Sequence, residues 1–106
     1  MPDDKRGCLQ DIHWSHGSFG YFPTYSLGSF YAAQFFATAS QQIPGIDAQI
    51  QSGNTQPLLE WLRTNVHRHG RKYTSEELCI KITGKGLDTA DFMSYLLQKY
   101  KTIYNL

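Results

Sequence analysis

No run of this 106-residue sequence reaches the roughly 18 apolar residues that a membrane span requires, so a spanning helix is excluded and no membrane partner is expected. Cysteine is scarce. Cys8 and Cys79 stand far apart and form no C-x-x-C pair, and the start of the chain carries no cationic segment leading into an apolar one. Two free thiols in a reducing cytoplasm are therefore expected. Charge of one sign is also lacking. The formal net charge is +1 with Lys and Arg dispersed, which leaves no basic face for nucleic acid. The one basic patch, Arg68, His69, Arg71 and Lys72, reads as a solvated helix end whose cations complement the helix dipole. Ser15, Ser18, Ser26 and Ser29 sit in no G-x-S-x-G context, and there is no phosphate loop or dinucleotide fingerprint. No stretch alternates in the β manner, and nothing repeats.

What is present is helical periodicity. An apolar fraction of 41% suits one globular domain with a modest core. Residues 1–6 read as a charged leader without structure of its own. Residues 7–22 read as a loop, with a short helix possible from Leu9 to Trp14, because Gly17 and Gly20 disfavour a regular helix and Pro23 keeps Phe22 out of the α region. Helices are then expected over 23–106, in an all-α fold of about four. Pro23–Gln42 is the longest. Its Leu27, Phe30, Tyr31, Phe35 and Phe36 cover more than half of the helix circumference, more than a chain this short can bury, which points to partner structure. Thr55 should cap a helix from Gln56 to His67 that ends in a left-handed Gly70. Thr74 and Glu77 form a capping box for a third helix ending near Gly84. Asp88 should cap the last, laying Phe92, Tyr95, Leu96, Tyr100, Ile103 and Tyr104 on the others, with Lys99 and Lys101 in water.

Chemistry is concentrated in Gly7–Tyr25, which gathers His13, His16, Trp14, Asp11, Gln10, Tyr21 and Tyr25 around glycines and a proline. Side chains on a loop that runs into a helix are presented and held in place at once. Cys8, His13 and His16 could converge on a metal, but their spacing matches no common zinc pattern. His67 and His69 beside Gly70 read as a helix end. Tyr95, Tyr100 and Tyr104 fit a packing stripe, whereas Tyr21 and Tyr25 flank a proline turn outside any stripe. Asp11 can fix the tautomer of His13 or cap a helix.

The segment Gly7-Cys8-Leu9-Gln10-Asp11-Ile12-His13-Trp14 resembles the G-x-x-Q-D-x-H-W signature of the Taq-type thermostable metallocarboxypeptidases. Gly20-Tyr21-Phe22-Pro23-Thr24-Tyr25 resembles their G-Y-F-P-T-Y signature. The likeness continues through Trp61-Leu62 and Val66-His67-Arg68-His69-Gly70. It implies a helical, often dimeric enzyme that removes C-terminal residues from peptides, using a divalent metal, zinc or cobalt, held by H-E-x-x-H and a downstream Glu. None of Glu60, Glu76 and Glu77 follows a His, and the family's D-x-R-x-T, H-E-S and I-R-x-x-A-D motifs are also missing. The resemblance therefore implies the C-terminal piece of such an enzyme without its metal site, with Met1 not the parent enzyme's start. By the same resemblance, His13 and Tyr25, with Tyr21 as the alternative tyrosine, stabilise a tetrahedral oxyanion. Gln10, Asp11 and Trp14 would bind substrate, although Gln10 and Trp14 could equally pack. The expected partners are a peptide substrate in the parent, and either the remainder of that enzyme or a second copy of this chain. The competing readings are a stand-alone helical module that binds a peptide or protein without catalysis, and a small metal-binding protein built on Cys8, His13 and His16.

Overall fold

The computed structural model describes residues 3–106, the side chain of Cys8 excepted. These residues form six α-helices: α1 (Ile12–Ser15), α2 (Thr24–Gln42), α3 (Ile46–Gln51), α4 (Gln56–Asn65), α5 (Ser75–Thr83) and α6 (Ala90–Tyr104). Short 3-10 turns occupy Asp4–Arg6, Cys8–Gln10 and His67–His69, and no strand occurs among the described residues. The expected leader is thus partly structured. The Asp3 carboxylate accepts the Arg6 N–H at 2.9 Å and closes a turn; Met1 and Pro2 lie outside the described residues.

The central element is α2, on which α5 and α6 both pack. At its C-terminal end Ala39 and Ile43 join Ile46 of α3 and Trp61 of α4 in a buried cluster, with Phe35, Leu58, Leu62 and Ile82 against it. The Trp61 indole N–H donates to Gln42 Oε1 at 2.7 Å, so the largest core side chain leaves no polar atom unpaired. Near its start Phe30 meets Phe92 of α6 edge to face, ring centres 5.2 Å apart. Between these contacts lies Gln34, only 1% exposed. Its amide nitrogen donates to Thr83 Oγ1 and to the Gly86 carbonyl, each at 3.0 Å, and its carbonyl oxygen accepts the Asp88 N–H at 3.0 Å. One side chain thereby ties α2 to the connection between α5 and α6.

Helix starts depart from expectation in a consistent way. Thr74 and Glu77 do form the capping box: Thr74 Oγ1 accepts the Glu77 N–H at 3.2 Å and Glu77 Oε2 accepts the Thr74 N–H at 2.8 Å. Thr55 and Asp88 do not cap as expected. Thr55 makes no side-chain cap bond, and the Gln56 N–H goes to Asn54 Oδ1 at 3.3 Å. Asp88 stands one residue before the N-cap position, Thr89, and takes the Ala90 N–H at 2.9 Å. In both, a short polar side chain one position upstream reaches the first free donor first. The helix expected to run to His67 ends at Asn65, and Gly70 has φ 54° and ψ −125°, outside the left-handed helical well. Gly84 does sit in that well and closes α5.

Much apolar surface is left uncovered. Among the described residues five hydrophobic side chains are buried, against seventeen large ones that are exposed. Contrary to the packing expected of α6, Tyr95, Tyr100, Ile103 and Tyr104 are all exposed; the helix touches the rest of the chain near its start. The accessible surface is 8125 Å², where a compact 12.1 kDa protein has about 6,000 Å². The radius of gyration is 17.5 Å, against about 13 Å for a compact chain of this length. None of the described helices is long and apolar enough to cross a membrane.

Candidate active site

Two turns bring the polar stretch together. Asp11 is the N-cap of α1, its carboxylate oxygen accepting the His13 N–H at 3.0 Å. After α1 the chain reverses through Gly17 (φ 83°) and Gly20 (φ 75°), conformations that glycine adopts at no steric cost. The Ser18 N–H donates to the His13 carbonyl at 2.8 Å and the Thr24 N–H to the Tyr21 carbonyl at 2.9 Å. This returns Tyr25, on the first turn of α2, to a point beside His13.

The result is a relay of three side chains. Asp11 Oδ1 lies 2.6 Å from His13 Nδ1, and Tyr25 Oη lies 3.4 Å from His13 Nε2. An ionised carboxylate can only accept, so it holds the neutral ring with its proton on Nδ1 and leaves a lone pair on Nε2 facing the tyrosine hydroxyl. That hydrogen bond, ahead of the His13 backbone N–H, holds the Asp11 carboxyl below its ordinary value of 3.8 despite partial desolvation. Aromatic rings wall the imidazole: ring centres of Tyr21, Phe22, Tyr25 and His16 lie at 5.3, 5.9, 5.7 and 5.5 Å. The His13 side chain is only 15% exposed, whereas Tyr25 as a residue is 55% exposed. The site is thus a shielded imidazole with an open tyrosine at its mouth.

Of the six candidates from the sequence, Asp11, His13, Tyr21 and Tyr25 come together, and Gln10 and Trp14 do not join them. The Gln10 amide donates back to the Lys5 carbonyl, and the Trp14 indole packs edge-on against Phe19. His16 turns its Nδ1 to Ser18 Oγ at 2.9 Å. Phe22, which forms part of the wall, was not singled out from the sequence; its place between Tyr21 and Pro23 in the second motif was the available signal. As for a metal, no three side chains of the ligating types converge among the described residues, and Asp11 and His16 already have other partners. Cys8, the third member of the local set considered above, has its side chain outside the described residues. The described donors do not fit a metal centre.

Residues 1–100 match the family described as Carboxypeptidase Taq (M32) metallopeptidase. The chain belongs to that family. It is 40% identical over 102 residues to thermostable carboxypeptidase 1 of Thermus thermophilus, a match covering 96% of this chain and 20% of the relative. With carboxypeptidase 1 of Bacillus subtilis it shares 39% over 103 residues, 97% of this chain and 21% of the relative. Its fold matches the crystal structure of the M32 carboxypeptidase from Deinococcus radiodurans with a TM-score of 0.89 at 38% identity, covering all of this chain and 22% of that one. The solved structure of a protein called CHT is 67% identical with a TM-score of 0.86, over 92% of this chain and 20% of that one. The chain thus spans about a fifth of the length of the Taq carboxypeptidases it matches. That family is one of metallopeptidases, so a divalent metal belongs to the whole enzyme.

Proposed function

We propose that this chain forms the C-terminal part of a cytoplasmic, metal-dependent carboxypeptidase that removes C-terminal residues from peptides, and that it supplies the transition-state-stabilising wall of the cleft. The zinc or cobalt ion would be held by residues this chain does not contain. The observation that carries the reading is the Asp11–His13–Tyr25 relay, built from the two motifs shared with the family.

The relay sharpens what each residue can do. With Asp11 occupying Nδ1–H, neutral His13 cannot donate through Nε2; it accepts the Tyr25 hydroxyl proton and orients that group. As an imidazolium it donates from Nε2, and the Asp11 carboxylate balances the charge. Tyr25 donates an O–H in either state. Tyr25 has a single O–H, so with the ring neutral a developing oxyanion would have to take that hydrogen bond away from His13 Nε2, whereas with the ring charged both Tyr25 O–H and His13 Nε2–H would be available to it. A donor that acts mainly in the transition state is worth about 3 kcal/mol. Tyr21 stays the alternative donor because its ring also abuts His13.

In a full-length enzyme carrying this segment, Tyr25→Phe and His13→Ala are each expected to lower kcat about 10²-fold while KM changes little. Unchanged turnover in both would refute the assignment. The chain by itself is expected to release no C-terminal amino acids from a test peptide, with or without added zinc or cobalt; chelator-sensitive release would contradict that. The second reading, a helical module that only binds a peptide or protein, draws on the uncovered apolar surface. A natural 106-residue protein with no separate chain bearing H-E-x-x-H in the same cell would favour it.

A further inference from the structure

The three side chains of the relay also have the connectivity of an activated nucleophile. A hydroxyl gains nucleophilicity when a base stands within hydrogen-bond reach of its proton and a third group holds that base in place. Tyr25 Oη is such a hydroxyl, His13 Nε2 at 3.4 Å the base, and Asp11 Oδ1, 2.6 Å from His13 Nδ1, the group that holds it. Exposure divides the roles. The imidazole is largely covered, so water competes little for its lone pair, whereas the tyrosine is open to a reagent from outside. Tyr21 abuts the same imidazole, yet among the described residues no tyrosine hydroxyl but that of Tyr25 bonds to Nε2.

We propose that Tyr25 takes acyl groups from activated esters, and that this chain by itself hydrolyses aryl esters through an acyl-tyrosine. Tyr25 Oη bonds to the ester carbonyl carbon as its proton passes to His13 Nε2. The bond from that carbon to the aryl oxygen then breaks, and the aryloxide leaves with the proton from Nε2. In the second half Nε2 takes a proton from water and the water oxygen bonds to the same carbon. The tyrosine oxygen is expelled and regains its proton from Nε2, and the acyl group departs as a carboxylic acid. The leaving group sets the substrate class. Phenoxide is a far more stable anion than an alkoxide or an amide anion, so an adduct of Tyr25 with an alkyl ester or a peptide expels the tyrosine again. An aryl ester, whose own leaving group is a phenoxide, goes forward. The inference rests on the relay and not on the peptidase reading.

Two probes test it on the free chain. Benzenesulfonyl fluoride reads the nucleophile: Tyr25 Oη bonds to sulfur, fluoride leaves, and the sulfonate ester stays in place, so peptide mapping by mass spectrometry measures labelling at each tyrosine. Tyr104 is the internal reference, because it is at least as exposed and its ring partner is Tyr100, not an imidazole. Tyr25 should label at least about tenfold faster than Tyr104, since a positioned base contributes about 10²-fold or more, and His13→Gln should bring the two within about twofold. p-Nitrophenyl acetate reads the turnover. Its hydrolysis should be catalytic and should fall at least about tenfold in Tyr25→Phe and in His13→Gln. Equal labelling of Tyr25 and Tyr104 in the unaltered chain would overturn the proposal. So would ester hydrolysis that survives Tyr25→Phe, because the acyl group would then not pass through Tyr25. Fast labelling of Tyr25 beside unchanged turnover of Tyr25→Phe and His13→Ala in the full-length enzyme would keep the nucleophile and remove the oxyanion role. Loss of that turnover with the two tyrosines labelled alike would do the reverse.

Discussion

Trp61 and Tyr25 are both aromatic side chains whose polar tip has a partner, yet one is 8% exposed and the other 55%. Trp61 lies where α2, α3 and α4 meet, and the cluster that buries it is drawn from within residues 35–82. Tyr25 lies where α2 leaves the motif turn, and the rings around His13 cover that imidazole but nothing covers them. One region completes its own burial. The other is organised by hydrogen bonds and glycine turns and left open, which is what a surface meant for substrate or for more protein requires.

The largest expected effect tests that contrast directly. Trp61→Ala should cost about 3–5 kcal/mol, because it empties the centre of the buried cluster. Tyr25→Ala should cost much less, about 1 kcal/mol in the free chain, since the ring meets only other exposed rings and His13 and is itself 55% exposed. Urea unfolding of the two variants beside the parent chain measures both. A comparable loss for Tyr25→Ala would mean that the His13 region is a second core and not an open site.

Next in size is Gln34→Leu, which keeps the volume but leaves the part-buried Asp88 N–H and Gly86 carbonyl without their partner, while the Thr83 hydroxyl keeps its bonds to Cys79 and Lys85. A loss of about 1–3 kcal/mol is expected. Gln34→Glu separates hydrogen bonding from shape: it can still accept from Asp88 N–H, but it can no longer donate to the Gly86 carbonyl when ionised. If Gln34→Leu proved as stable as the parent chain, α5 and α6 would be held on α2 by apolar contact alone.

These residues also mark how far the sequence could be read. Thr74 and Glu77 were legible because a capping box is decided by four consecutive residues. Asp11 was legible as either a tautomer-fixing group or a cap, and it does both from one oxygen. Gln34 was not legible. Its partners lie about fifty residues on, and the hint was a single amide inside the aromatic run Phe30–Phe36. The stripe of α6 misled for the opposite reason. Periodicity spreads Phe92, Tyr95, Leu96, Tyr100, Ile103 and Tyr104 over one broad half of the helix, but does not say which chain covers it. Asn54 and Asp88 show the resolution limit of cap reading, one residue, because Asx side chains reach the same free donors from the position before.

The smallest effect concerns acid. The Nδ1–H of His13 holds the Asp11 carboxyl below its ordinary value of 3.8, and the backbone N–H of Thr74 does the same for Glu77 below 4.5. A carboxyl whose value is lower in the folded chain than in the unfolded one stabilises the fold at every pH above the unfolded value. That contribution is lost as the pH falls through the folded value. The contributions of these two carboxylates should therefore be constant between neutral pH and about 5, then fall as acid protonates them. The consequences differ. At Thr74 a helix loses part of its cap while Cys79 and the helix body stay packed; at Asp11 the imidazole loses the carboxylate and keeps only Tyr25 Oη and its ring neighbours, so His13, Tyr21 and Tyr25 are held less firmly. Amide resonances of His13 and Thr74 followed by NMR through the acid range should move over the same interval, with ring resonances of Tyr21 and Tyr25 following His13 alone. Asp11→Asn should abolish the step at His13 and leave Thr74 unchanged. Tyrosine resonances that hold their positions while Asp11 takes up its proton would show that the rings, and not the carboxylate, keep the site assembled.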